Sequence, residues 1–132
     1  KGAFPMNHPL FMGVYAGAIS PPPIRARVEQ ADLIIGLGMF LTDTQAMDKA
    51  AFAALKPGGL FIITDYVGQP GTGKTQTQAL HRIDPAVIKS EAMAAGFMLE
   101  AESTALMNPM DNLTGRSGQG SSQMVYRFRK PR

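Results

Sequence analysis

LKPGGLFIITDYV, Leu55–Val67, decides the fold. Its first five residues stop a helix and turn the chain. The eight that follow, Leu60–Val67, form a continuous apolar run of strand length, the pattern of a strand buried on both faces. Upstream, LIIGLGMF, Leu33–Phe40, is a second run of the same kind. Between the two, TDTQAMDKAAFAAL opens with the capping residues Thr42, Asp43 and Thr44. It then aligns Met47, Ala51 and Leu55 at helical spacing. A strand, a helix and a strand in this order make a parallel crossover unit, which is right-handed.

Working outward, PPPIRARVEQAD begins with prolines suited to a first helical turn and sets Ile24, Val28 and Ala31 on one face. KGAF, Lys1–Phe4, reads as a short strand stopped by Pro5, and Asn7–Ser20 as a packed loop or a short helical turn. On the other side, Asp84-Pro85 has the form of an N-cap with proline at the first helical position. That helix runs through PAVIKSEAMAAG to Gly96. FMLEAESTAL, Phe97–Leu106, reads as a strand with Glu100 and Glu102 on one polar face, and Asn108–Ser122 as a turn-rich loop. QMVYRFRK sets Met124, Tyr126 and Phe128 against Val125, Arg127 and Arg129, the alternation of a half-exposed strand. The expected fold class is α/β: a small Rossmann-like three-layer sandwich over 1–132, one domain, with about five strands. They run mostly parallel, with an antiparallel C-terminal strand.

The 132 residues are 45% apolar and 17% charged, the balance of a globular chain. There is no cysteine, which removes disulfides, thiolate metal sites and cysteine nucleophiles, and fits a cytoplasmic setting. The formal charge is +3, part of it in the tail RFRKPR, Arg127–Arg132. That is not the broad basic patch with interleaved aromatics of a nucleic-acid surface. No apolar run approaches the roughly 20 residues of a membrane span. His8 and His81 are the two histidines and share no metal spacing. No metal site is expected.

GQPGTGKT, Gly68–Thr75, satisfies the phosphate-loop pattern G-x-x-x-x-G-K-[ST] at every fixed position. Gly68, Gly73, Lys74 and Thr75 are therefore candidate phosphate or ATP contacts, and Asp65, at the end of the preceding strand, a candidate ligand-end carboxylate. Against that reading, a working loop runs straight into a helix facing the phosphates, whereas the helix start here is Asp84-Pro85. Its magnesium-holding Asp should lie on a neighbouring strand, not on the strand before the loop. The expectation is a Gly/Pro loop with its polar cluster His81, Arg82 and Asp84 serving to cap and fix it.

Two family resemblances meet in the chain. KGAFP, HPLFMGVYAG and VEQADLIIGLG, within 1–43, resemble the middle domain of thiamine-diphosphate-dependent pyruvate and indolepyruvate decarboxylases. In that family the thiamine pocket lies in other domains, so the resemblance transfers no catalytic residue. AFAALKPGGLFIITDY, LHRIDPAVIKSEAMAAGF, Asn108-Pro109 and YRFRKP, within 46–132, look like the C-terminal half of a class I S-adenosylmethionine-dependent methyltransferase. Its glycine-rich cofactor loop belongs to the half without a counterpart here; Gly36 and Gly38 are a weak match.

The resemblances imply a chimera joined near 42–46, by deliberate construction or by gene fusion. They imply no native catalysis, no catalytic residue and no required cofactor. Weak S-adenosylmethionine or phosphate/ATP binding and a methyltransferase remnant are the alternatives. They also imply a sheet order: Lys1–Phe4, Leu33–Met39, Leu60–Tyr66, Gln123–Lys130, Phe97–Ser103. The N-terminal strand is then an edge through which a homo-oligomer is expected.

Overall fold

A computed structural model describes residues 6–13, 19–37 and 44–132. In chain order the elements are α1 (Pro22–Val28), β1 (Ala31–Leu37), α2 (Thr44–Ala54), β2 (Leu55–Tyr66), α3 (Thr77–Leu80), α4 (Pro85–Ala94), β3 (Met98–Ser103) and β4 (Gln123–Arg129). They build one mixed four-stranded sheet in the order β1-β2-β4-β3. β1 and β2 are parallel, and β4 lies antiparallel between β2 and β3. The α/β fold and the order of these four strands follow the reading of the sequence. The described residues hold four strands rather than about five. The strand expected at Lys1–Phe4 and the caps Thr42 and Asp43 lie outside the described residues.

Register explains which side chains form the core. Ile34 pairs with Phe61, Phe61 with Phe128 and Ile63 with Tyr126, so these alternate positions share one face. On that face Phe61, Ile63, Met124, Tyr126 and Phe128 pack with Ile88 and Ala92 of α4, and Ala51 and Phe52 of α2 lie against them. Phe97 centres the aromatic contacts, edge-on to Phe52 at 5.0 Å and tilted to Phe61 at 5.2 Å. α2 and α4 therefore cover the same face of the sheet.

The opposite face differs from the expectation of strands buried on both sides. Leu33 and Ile35 are 46% and 52% exposed. Leu60, Ile62, Thr64 and Tyr66 are half-buried. The apolar runs reflect strand propensity and a core packed mainly on one side.

Several boundaries also moved. Ala31, expected on a helix face, starts β1 and pairs with Leu55, which itself starts β2 instead of ending α2. Between these partners and Leu33–Leu60 the register shifts, because KPGG bulges out of the ladder. The bulge is held by Gly58 N–H, which donates to Lys130 O at 2.9 Å, and by Lys130 N–H, which donates to Gly59 O at 2.9 Å. Of the packed loop or short helical turn expected at Asn7–Ser20, the described part is turned, with Ser20 buried but Leu10 and Ile19 76% and 86% exposed. Glu100 and Glu102 do not share a polar face. A register shift between Leu99 and Ala101 makes Glu100 a bulged residue, and one extra residue reverses the side-chain alternation. Glu100 meets Arg127 and Arg129, whereas Glu102 meets Lys89 of α4.

Candidate functional site

In an open sheet with parallel strands, ligands bind beyond the carboxyl ends of those strands. Here that end is built by the 68–75 loop after β2, the start of α4 and the 108–122 loop before β4. The sequence candidates gather there, and their donors are spoken for. Gly71 and Gly73 have φ of 82° and 58°, and their two amides point to one acceptor, much as converging amides hold an anion in a phosphate loop. The anion present is the Asp84 carboxylate. Its Oδ2 accepts from Gly71 N–H at 2.7 Å and Gly73 N–H at 3.4 Å. Its Oδ1 accepts from Ala86 N–H at 2.9 Å, which is the N-cap bond of α4. One aspartate thus caps a helix and fills the nest.

The other candidates are engaged likewise. Gly68 N–H donates to Ile83 O at 2.7 Å. Thr75 Oγ1 donates to Thr72 O at 2.8 Å. Lys74 Nζ lies 2.6 Å from Glu91 Oε1 on α4. The loop does not run straight into the α4 terminus: the single turn α3 intervenes, ending at His81 with φ 54°. That turn was not foreseen from TQTQALHR. Asp65 is buried at the end of β2, on the core face opposite Met124. Burial pushes its carboxyl up to about 6, against the lowering effect of the Tyr66 N–H.

Two clusters escaped the sequence reading. The first is an ion pair with almost no solvent exposure. Arg82 meets Asp111 in a two-pronged contact, Nη2 to Oδ1 at 2.9 Å and Nη1 to Oδ2 at 3.0 Å. Arg82 also donates to Gly115 O, Val67 O and Ser121 Oγ at 2.7, 2.8 and 3.0 Å. Burial alone would raise Asp111. The N–H of Ser122, the Arg82 guanidinium and the N–H of Leu113 outweigh it and hold the carboxyl at about 2. Instead of fixing the 68–75 loop as expected, the Arg82 side chain ties Val67 O to the 108–122 loop, with Asp111 as its unforeseen partner. His81 contacts Arg116, with Nε2 and Nη2 3.1 Å apart.

The second cluster joins Asp48 of α2, Glu91 of α4 and Lys74. Asp48 is 3% exposed. Burial, then the Glu91 charge, push its carboxyl up to about 7, while Lys74 pulls the other way. Among the described residues, no group of three or more His, Asp or Glu is arranged to hold a metal ion. No described helix is long and apolar enough to cross a membrane.

A family model for the thiamine pyrophosphate enzyme central domain matches residues 1–66. Pyruvate decarboxylase isozyme 2 of Saccharomyces cerevisiae is 46% identical over 43 residues, 33% of this chain and 8% of that enzyme. The Kluyveromyces lactis pyruvate decarboxylase is 44% identical over the same length and shares. The chain thus spans 8% of the length of these relatives. Among solved structures, the fold is similar to a putative sarcosine dimethylglycine methyltransferase from Galdieria sulphuraria. The TM-score is 0.56 at 17% identity, covering 78% of this chain and 54% of that one. An S-adenosylmethionine-dependent methyltransferase from Methanosarcina mazei gives 0.57 at 12% identity, covering 79% and 61%. At these identities the likeness concerns the fold. The family match extends past the expected join at 42–46 to the end of β2. The 68–75 loop as it stands does not fit the diphosphate of a thiamine cofactor, because a carboxylate already accepts from its converging amides.

Proposed function

The chain belongs to the thiamine pyrophosphate enzyme central-domain family, and from that premise we propose that it is a non-catalytic α/β unit of chimeric make-up. Its N-terminal part follows that family, and its sheet continues as a methyltransferase-like C-terminal half. The observation that carries this reading is the state of the sheet's ligand end. Asp84 occupies the anion position of the 68–75 loop, and Glu91 takes the Lys74 ammonium. An anionic substrate would have to displace two carboxylates held by hydrogen bonds or charge. A structural use of the loop explains all of these contacts together.

The experiment is a pair of binding assays. Calorimetry with S-adenosylmethionine is expected to give no heat, and a saturable isotherm would favour a methyltransferase remnant. A thermal shift with Mg-ATP is expected to be the same for the wild type and Lys74→Ala. A response present only in the wild type would restore the phosphate-loop reading.

The same reading keeps self-association at the N-terminal side of the sheet, where the expected edge strand, Lys1–Phe4, lies outside the described residues and its expected neighbour is β1. Among the described residues it pairs on one side, with β2, and Leu33 and Ile35 stand about half exposed beside that edge. Edges of this kind template pairing with another chain. Light scattering at high concentration is expected to show a homo-oligomer, and a strict monomer would remove this part of the reading.

A further inference from the structure

We propose that Asp48, Glu91 and Lys74 form a proton-held latch that fastens α2 to α4 and to the 68–75 loop, closed while Asp48 is neutral and released as it ionises. Glu91 is bound on one side only. Its Oε1 takes the Lys74 ammonium at 2.6 Å, while its Oε2 is buried with no hydrogen-bond partner. Buried acceptors are almost always paired, and one left alone calls for a reason. The packing of α2 on α4 brings the Asp48 carboxyl group, itself 3% exposed, to act on Glu91. A neutral carboxylic acid carries one O–H, and that is the donor Oε2 lacks. With the proton in place, α2, α4 and the loop are joined through one hydrogen bond and one ion pair. Without it, the buried Asp48 carboxylate and the partly buried Glu91 carboxylate face a single ammonium.

The surroundings set the direction of the switch. Among the described residues, the charged groups facing Asp48 are Glu91 from α4 and Lys74 from the loop. β2 contributes Asp65 to the same face of the sheet, and Lys49, next along α2, is exposed. Burial and Glu91 hold Asp48 at about 7, above its ordinary 3.8, and Lys74 opposes them. A group whose pKa is raised by folding stabilises the folded form most at acid pH. The latch is therefore strongest near pH 4, weakens as pH rises toward 7 and is lost above it. Lys74 is one of the ties between the loop and α4, beside the Asp84 contacts, so that tie weakens with the latch while the Asp84-filled nest stays closed.

Carboxyl-detected NMR titration of the wild-type protein tests this directly. The Asp48 side-chain carbon is expected to titrate near pH 7. Amide exchange in residues 48–54, corrected for its intrinsic rate, should show protection falling about tenfold per pH unit between pH 5 and 7, then levelling. Asp48→Asn keeps an N–H donor for Oε2 and carries no charge, so its protection should not vary over that range. Lys74→Gln removes the opposing cation and should move the Asp48 midpoint upward. An Asp48 midpoint near 4 overturns the proposal. So does a wild-type-like pH dependence in Asp48→Asn, or an unmoved midpoint in Lys74→Gln. Should Asp48→Asn fail to fold, the wild-type titration and Lys74→Gln decide.

Discussion

Asp111→Ala is expected to destabilise the protein more than the loss of any exposed carboxylate. Asp111 sits in a turn-rich loop, yet its side chain is 7% exposed and faces an Arg82 side chain that is 2% exposed. Truncation removes both prongs of the contact and the acceptor for the N–H groups of Ser122 and Leu113. The guanidinium stays behind, buried and without its counter-charge. Breaking a buried pair from one side costs about 3–5 kcal/mol, a large part of the roughly 5–15 kcal/mol that holds a domain folded. Arg82 also bonds Val67 O, Gly115 O and Ser121 Oγ, so the loss spreads from the residue just after β2 to the 108–122 loop. Urea unfolding of the wild type, Asp111→Ala and Arg82→Met/Asp111→Leu measures it. Apolar replacement of both partners removes the stranded charge, so the double variant should be more stable than Asp111→Ala but short of the wild type, since Val67 O and the Ser122 N–H lose their partners. A single-variant loss below about 1 kcal/mol, the range of an exposed pair, would refute the reasoning. The same pair makes acid unfolding of the wild type distinctive. A carboxyl held at about 2 against an ordinary 3.8 contributes stability above 3.8 that is lost as pH falls through 2.

Other expectations can be checked by the same unfolding measurements. Asp65 has the opposite sign: held at about 6, it favours the folded state at acid pH and costs stability as pH rises from 4 to 6. Asp65→Asn should therefore gain about 1–3 kcal/mol at pH 8 and little at pH 4; an equal effect at both would show that the carboxyl is not perturbed. Gly96→Ala places a Cβ 2.9 Å from the Phe52 ring at a φ of 108°. It should cost about 1–3 kcal/mol by overpacking and backbone strain, and a neutral result would mean that the ring moves freely.

The parts of this fold legible in the sequence were those written in short-range pattern. Two apolar runs with a helical repeat between them specified the parallel crossover, and the alternation at Met124, Tyr126 and Phe128 specified which face of β4 is buried. Asp84-Pro85 gave away the start of α4, because a capping side chain and a fixed φ act within three residues. What stayed hidden depends on distant contacts. Arg82 and Asp111 are 29 residues apart, joined by a loop without periodicity. Asp48 and Glu91 look like solvent-facing positions of two helices until those helices pack. The bulge at Glu100 adds one residue to a strand and leaves no compositional trace. The phosphate-loop letters were fully legible, but whether an anion already sits among the amides depends on Asp84, which lies outside the motif.

Occupation of the loop's nest by the Asp84 carboxylate is tested most directly by one titration. Inorganic phosphate and then Mg-ATP are added to the ¹⁵N-labelled wild-type protein and to Lys74→Ala, with the Gly71 and Gly73 amide signals followed. With the Asp84 carboxylate in the nest, those signals should hold their positions in both proteins through millimolar additions. Saturable shifts of both amides in the wild type, abolished in Lys74→Ala, would show that the loop binds phosphate and would contradict the account.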